Sequence, residues 1–209
     1  MKGNLTNVLT ALLCLGVLSA ALLSAGCTQQ SSTTQAKDAT IPELKALNAL
    51  AEDRLFSINW NAEHPGNIRS QLLASETDFK NIFDILSAKS PTSEYESYTI
   101  YTMRTIDCTY IDMIAAMMDL TNVLEQNNNA EYYAAMYDST NWEVSIRNAD
   151  DALVSARNNL YSAEYRLSGI NTNMVPLDMQ GEVTELKVRI DQMKIVMNNL
   201  AEEFATALS

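Results

Sequence analysis

From Thr40 onward the chain alternates apolar and polar positions in steps of three and four residues, in five stretches divided by turn-forming residues. A period of 3.6 kept over many turns is the signature of amphipathic helices. The first stretch opens on Thr40, with Pro42 in the first turn and Glu43 placed to complete a capping box. Its apolar face is Leu44, Leu47, Ala51, Leu55, Ile58 and Ala62, and His64-Pro65-Gly66 ends it. A second helix, from about Asn67 to Ala88, carries Ile68, Leu72, Ser75, Phe79, Ile82 and Leu86, and Ser90-Pro91 breaks it. The third, from about Thr92 to Gln126, shows Met103, Ile106, Tyr110, Met113, Met117, Leu120 and Leu124, with a turn expected at Asn127-Asn128-Asn129. The fourth is expected from about Ala130 to Ser168, with Trp142, Ile146, Ala149, Leu153, Ala156, Leu160, Ala163 and Leu167 on one face and Gly169 as its cap. After a loop holding Pro176, the fifth carries Met179, Val183, Leu186, Ile190, Met193, Met197, Leu200 and Phe204.

Such a heptad-like rhythm describes helices lying almost side by side, and short loops make sequential neighbours antiparallel. The predicted fold is therefore all-α: an elongated, antiparallel, up-and-down bundle of about five helices. The last three are long, roughly 50 Å at 1.5 Å per residue, and the first two are shorter. Pro65-Gly66 favours a hairpin of the first two over a single kinked helix. A turn at Asn128 would set Tyr95 level with Tyr161 and Leu124 level with Tyr132. A turn between Gly169 and Pro176 would stack Leu167 near Met179, Leu160 near Leu186, Leu153 near Met193, Ala149 near Met197 and Trp142 near Phe204.

Before Thr40 the pattern is different. Lys2 precedes an apolar run from Val8 to Leu23 that ends in small residues, the layout of a secretory signal. The run closes on Leu23-Ser24-Ala25-Gly26-Cys27, which resembles the lipobox of prokaryotic lipoproteins, with Ser24 standing where that pattern usually has leucine. The resemblance is confined to this segment. It implies cleavage before Cys27, a diacylglyceryl group on the Cys27 thiol, and export to the outer face of a membrane. Two acyl chains anchor stably where one holds only marginally. An uncleaved membrane anchor is the alternative, because Val8 to Cys27 is about long enough to span a bilayer, and a secreted, unanchored product is a third. Residues 28–39 are small, polar and without period, which reads as a flexible tether of roughly 20 Å. The organisation expected is a signal over 1–26, a lipidated cysteine and tether over 27–39, and one helical domain over 40–209.

Composition narrows the chemistry. Loss of residues 1–26 removes only Lys2 from the charge count, leaving 13 basic against 26 acidic residues, or −13. That balance opposes nucleic acid and anionic lipid as partners. With Cys14 removed and Cys27 lipidated, Cys108 stands alone and no internal disulfide can form; it reads as a small residue packed beside the apolar seam, next to Ile111 and Ala115. The single histidine, His64, falls in a turn. One histidine cannot supply a di-iron carboxylate bundle, a three-histidine zinc site or a haem attachment motif. The acidic pairs Asp150-Asp151 and Glu202-Glu203, and the acids Asp107 and Asp112, read as solvated helix faces. Ten methionines, among them Met103, Met113, Met117, Met118, Met136, Met193 and Met197, fall where they would fill a core.

No catalytic set, metal site or cofactor is expected. The feature that stands out is a gathering of tyrosine and arginine toward one end of the bundle: Tyr95, Tyr98 and Tyr101 opposite Arg157, Tyr161, Tyr165 and Arg166. These residue types are favoured at binding surfaces. The leading expectation is a lipid-anchored, extracytoplasmic, non-enzymatic bundle that binds a protein partner or scaffolds at the cell envelope. The alternative is an extracytoplasmic bundle that senses a small molecule and works with a separate transducer, a reading that rests on fold analogy alone.

Overall fold

The computed structural model describes residues 39–61 and 63–209. The expected signal over 1–26, Cys27 and residues 28–38 of the expected tether lie outside the described residues, as does Ala62. Ala39, assigned to the tether, is instead buried against the core. Among the described residues, five α-helices carry the fold: α1 (Ile41–Phe56), α2 (Pro65–Ala88), α3 (Glu94–Ala135), α4 (Ser139–Ser168) and α5 (Gln180–Ala207). They form the all-α bundle that the pattern predicts. None of the described helices is long and apolar enough to cross a membrane.

The starts of the helices follow from local chemistry. The Thr40 hydroxyl accepts from the Glu43 amide while the Glu43 carboxylate accepts from the Thr40 amide at 2.6 Å, closing the expected capping box. Ser93 caps α3 by accepting from the Glu96 amide at 3.1 Å, and Asp138 caps α4 by accepting from the Asn141 amide at 3.1 Å.

Two boundaries differ from the sequence reading. α1 stops at Phe56, well before His64. Ser57 there turns its hydroxyl back to the Arg54 carbonyl, and Asn61 accepts from the Glu63 amide, so short polar side chains compete with the helix for backbone partners. The chain continues non-helically and still buries Ile58 and Trp60. His64, exposed, directly precedes α2.

The larger difference is in α3, which runs straight through Asn127-Asn128-Asn129. Three asparagines cost a helix only about half a kcal/mol each. Here Asn127 donates to Glu131 at 3.3 Å, and Ala130, Val123 and Leu124 are fully or almost fully buried, so packing outweighs propensity. The turn comes at Met136-Tyr137-Asp138. The Asp138 amide reaches back to the Tyr133 carbonyl at 3.0 Å and the Tyr137 amide to the Ala134 carbonyl at 3.2 Å, a Schellman arrangement. Tyr137 holds the left-handed position, with φ 57°, where glycine is usual.

Moving the turn slides α4 along α3. Asp119 accepts from Ser155 at 2.7 Å and from Asn159 at 2.8 Å, and Asn148 donates to Gln126 at 3.5 Å. A turn at Asn128 would have set Asp119 against Tyr137 instead, so the expected levels of Tyr95 with Tyr161 and Leu124 with Tyr132 do not form. The α4–α5 pairing is slid too, because Ile170 and Val175 are buried and two 3-10 turns lengthen the connection. Lys194 consequently meets Glu164 at 2.8 Å and Arg157 meets Asn198 at 2.7 Å.

The faces themselves are as the pattern implies. Every predicted position on α2 is buried, as are the predicted residues of α3 from Met103 to Leu124 and those of α4 from Ile146 to Leu167. α3 is the central helix, packing against α4 along most of its length and against α2 and α1 as well. It therefore buries residues beyond one stripe, including Ile100, Ile114 and Asp107. Asp107 was expected on a solvated face; its burial is a consequence of α3 being covered on several sides. Met136, expected to fill the core, is exposed beside the turn. Tyr137 is 96% exposed, so replacing it removes no packing. Tyr137→Gly should raise the unfolding free energy by about 1 kcal/mol, the cost of a left-handed tyrosine; an unchanged or lowered chemical-denaturation midpoint would contradict this description of the turn.

Candidate functional site

α4 ends at Ser168, leaving part of the α3 surface uncovered beyond it. On α3, Tyr101, Arg104, Thr105 and Cys108 recur at helical spacing along one face, and Tyr161, Ser162, Tyr165 and Arg166 do the same on α4. With Phe83 of α2 and Gly169 they line an open groove of about 990 Å³.

Each cation near the groove has a different arrangement. Arg166 donates from Nε to Asp112, and this pairing holds the guanidinium above its ordinary pKa. Lys194 is paired with Glu164 and lies 5.7 Å from the Tyr161 ring centroid. Arg104 has no carboxylate within ion-pair distance among the described residues; its guanidinium carbon sits 5.1 Å from the centroid of the Phe83 ring. A cation held over an aromatic face keeps much of its field for an incoming group. Cys108 is half-buried in the groove wall, and burial pushes its thiol above the ordinary range, with the Arg166 charge only partly opposing that. A thiol of that kind stays protonated near neutral pH and is a poor nucleophile.

The structure gathers four of the seven residues singled out in the sequence: Tyr101, Tyr161, Tyr165 and Arg166. The other three point to different neighbours. Tyr95 donates to Asp178 at 3.4 Å, next to the Lys45–Asp178 ion pair of 2.6 Å. Tyr98 donates to Glu94 at 2.6 Å on its own helix, and Arg157 donates to Asn198. Phe83, Arg104 and Cys108 join the groove unforeseen. Arg104 and Cys108 lie three and seven residues after Tyr101, on the same helical face, so the spacing carried a signal for both. Among the described residues, no three histidine, cysteine, aspartate or glutamate side chains are grouped to hold a metal ion.

The arrangement can seat a flat or extended group between tyrosine rings and meet a negative charge with Arg104. The chain matches no family model, and no curated protein or solved structure is significantly similar to it.

Cys108 reports on this environment. Its alkylation by iodoacetamide, followed by mass spectrometry of the Cys108 peptide, should be several-fold slower than that of a free thiol at pH 8 and still climbing above pH 9. A free cysteine levels off past its pKa of about 8.5. A rate that plateaus there would show that the groove wall does not shield the thiol.

Proposed function

We propose that this chain is a lipid-anchored, extracytoplasmic helical bundle that binds a partner through the tyrosine and arginine groove where α4 ends. The observation that carries the reading is the groove itself: Tyr101, Tyr161 and Tyr165 are exposed around Arg104, a guanidinium with no carboxylate partner among the described residues. In a chain of net charge −12, an unneutralised arginine among aromatic side chains is a local exception that suits an acidic or carboxylate-bearing partner segment. Tyrosine and arginine give large contact areas at modest ordering cost. The protonated Cys108 thiol supports binding over nucleophilic chemistry at this place. The anchor rests on the lipobox-like Leu23–Cys27 segment, and a groove on the flank of a rigid bundle is a suitable docking face for a tethered protein.

A second reading has one observation in its favour. The groove volume of about 990 Å³ falls within the range of small-molecule sites, as a sensor working with a separate transducer would need. A thermal-shift screen separates the two, because a specific small ligand must raise the melting temperature.

Two experiments test the main reading. Cys27→Ser should abolish lipid labelling and release or misprocess the protein, with the circular dichroism of the bundle unchanged; continued membrane retention of an uncleaved chain, in wild type and variant alike, would favour an apolar anchor. For the groove, an aryl-azide photocrosslinker at Ser162 should give a partner adduct in membranes that is lost at least about tenfold in Arg104→Ala and Tyr161→Ala, a cost in the range of interface hot spots. The exposed-surface control Glu202→Gln should leave it intact. Adducts equally strong in all four proteins would place the partner elsewhere.

A further inference from the structure

Away from the groove, three carboxyl groups approach one another where α1, α3 and α5 pack. Asp107 of α3 has 0% exposure, and neither of its carboxyl oxygens makes a well-formed hydrogen bond, although the Asn48 side chain of α1 is close enough to act on it. Asn48 of α1, at 4% exposure, lies alongside with its own Oδ1 unpartnered. Glu182 of α5 is half-buried and its Oε1 is likewise closed off from solvent without a partner. Glu52 of α1 completes the group, close enough to Glu182 and to the Tyr110 hydroxyl for the three to interact.

The charges around this cluster do not neutralise it. On α1, Lys45 is engaged by Asp178 at 2.6 Å. On α5, Arg189 pairs with Glu185, and its guanidinium carbon lies 3.7 Å from the Phe56 ring centroid. α3 contributes Asp107 and Tyr110, with the Cys108 thiol close enough to feel the Asp107 charge. No ion pair falls on Glu52, Asp107 or Glu182 among the described residues, nor are the three grouped closely enough to ligate a metal.

Unpaired ionised carboxylates in such a place are strongly disfavoured, and the groups keep their protons instead. Burial pushes Asp107 up to about 8, with Asn48 opposing slightly and the nearby Glu52 adding to the rise. Burial also pushes Glu52 up to about 8, reinforced by the charge and hydrogen bond of Glu182. Glu182 is raised chiefly by burial, and Tyr110, also desolvated, is raised well above its ordinary value and remains a neutral phenol.

We propose that Asp107, Glu52 and Glu182 form a proton-held latch that keeps α1 against α3 and α5 while the carboxyl protons are in place and frees α1 when they pass to solvent base. α1 is suited to be the moving part. It is the shortest helix, at 16 residues, it touches α3 at few points, and a non-helical segment joins it to α2.

The direction of the pH dependence follows from linkage. Once α1 has swung out, the carboxyls are solvated and their pKa returns to about 4. Opening therefore releases protons at every pH between about 4 and the closed-state value of about 8. The latch is tightest in mild acid, weakens through neutrality, and has lost its proton-dependent hold once the pH passes about 8.

Hydrogen exchange of the α1 amides in the full chain, corrected for intrinsic exchange rates and read from pH 5 to 9, tests this. α1 opening should increase about tenfold per pH unit for each proton released, then level off above pH 8. The α4 amides should show no such dependence. Asp107→Asn and Glu52→Gln preserve size and each removes one titrating group, so each should make the α1 profile less steep by one proton's share, about tenfold per pH unit. If Asp107→Asn does not fold, Glu52→Gln, at a half-buried position, carries the same test. A flat wild-type profile overturns the latch, as does a variant profile as steep as the wild type. So does recovery of α1 protection at pH 9 on adding calcium or magnesium, which would make the cluster a cation site.

Discussion

The packing of α4 on α3 is the constraint from which the rest of the molecule follows. Along α4, Ala149, Ala156 and Ala163 alternate with Ile146, Leu153, Leu160 and Leu167, all buried. Alanines at these positions let two helices approach closely, while the larger side chains between them fill the remaining space. Such a surface fits its partner well in few registers. The polar bonds from Asp119 to Ser155 and Asn159 sit beside the seam at the same register. Once that register is set, the end of α4 falls near Cys108 and Asp112 of α3, and the groove opens there.

α3, at 42 residues about 63 Å long, is covered differently at different heights. On one flank, where α4 has ended, Tyr101, Arg104 and Cys108 meet solvent among aromatic rings. On another, α1 and α5 close over Asp107 and Tyr110, and Phe79 of α2 stacks on the Tyr110 ring at 4.6 Å. The two polar regions of the molecule thus lie on different flanks of one helix. One is open and carries Arg104, which has no carboxylate partner among the described residues. The other is closed and carries carboxyl groups that no ion pair engages among the described residues. The open one arises because α3 outlasts α4, and the closed one because α1 and α5 cover α3 at Asp107.

The helical faces were legible in the sequence because burial follows a period that local spacing reveals. Positions such as Phe79, Leu160 and Met197 could be assigned to the core without knowing their neighbours. Register was not legible in that way. It depended on whether Asn127-Asn128-Asn129 or Met136-Tyr137-Asp138 made the turn, and local propensity favoured the asparagines. What decided otherwise was non-local: the burial of Ala130 and Asn127 against other helices, and a left-handed turn built on a tyrosine instead of a glycine. That shift explains why Tyr95 ended beside Asp178 while Tyr101 entered the groove. The burial of Asp107 was half visible. It sits beside Ile106, four residues after Met103 and three before Tyr110, inside the buried arc of α3. Recognising its meaning required Glu52 and Glu182, which are distant in sequence.

The α3–α4 register is the point on which the groove stands, and a distance across the seam tests it most directly. Cysteines would be placed at Asp119 and Ser155 in the Cys108→Ser chain from residue 39 onward, and in a second protein at Asp119 and Tyr137. A short bifunctional thiol reagent should join 119 to 155 readily and leave 119 and 137 unjoined, since α3 continues from Asp119 to Ala135 before the turn, a separation of about 24 Å along the helix. Efficient joining of 119 to 137, with none between 119 and 155, would mean that the chain turns at the asparagines and that the groove described here does not form.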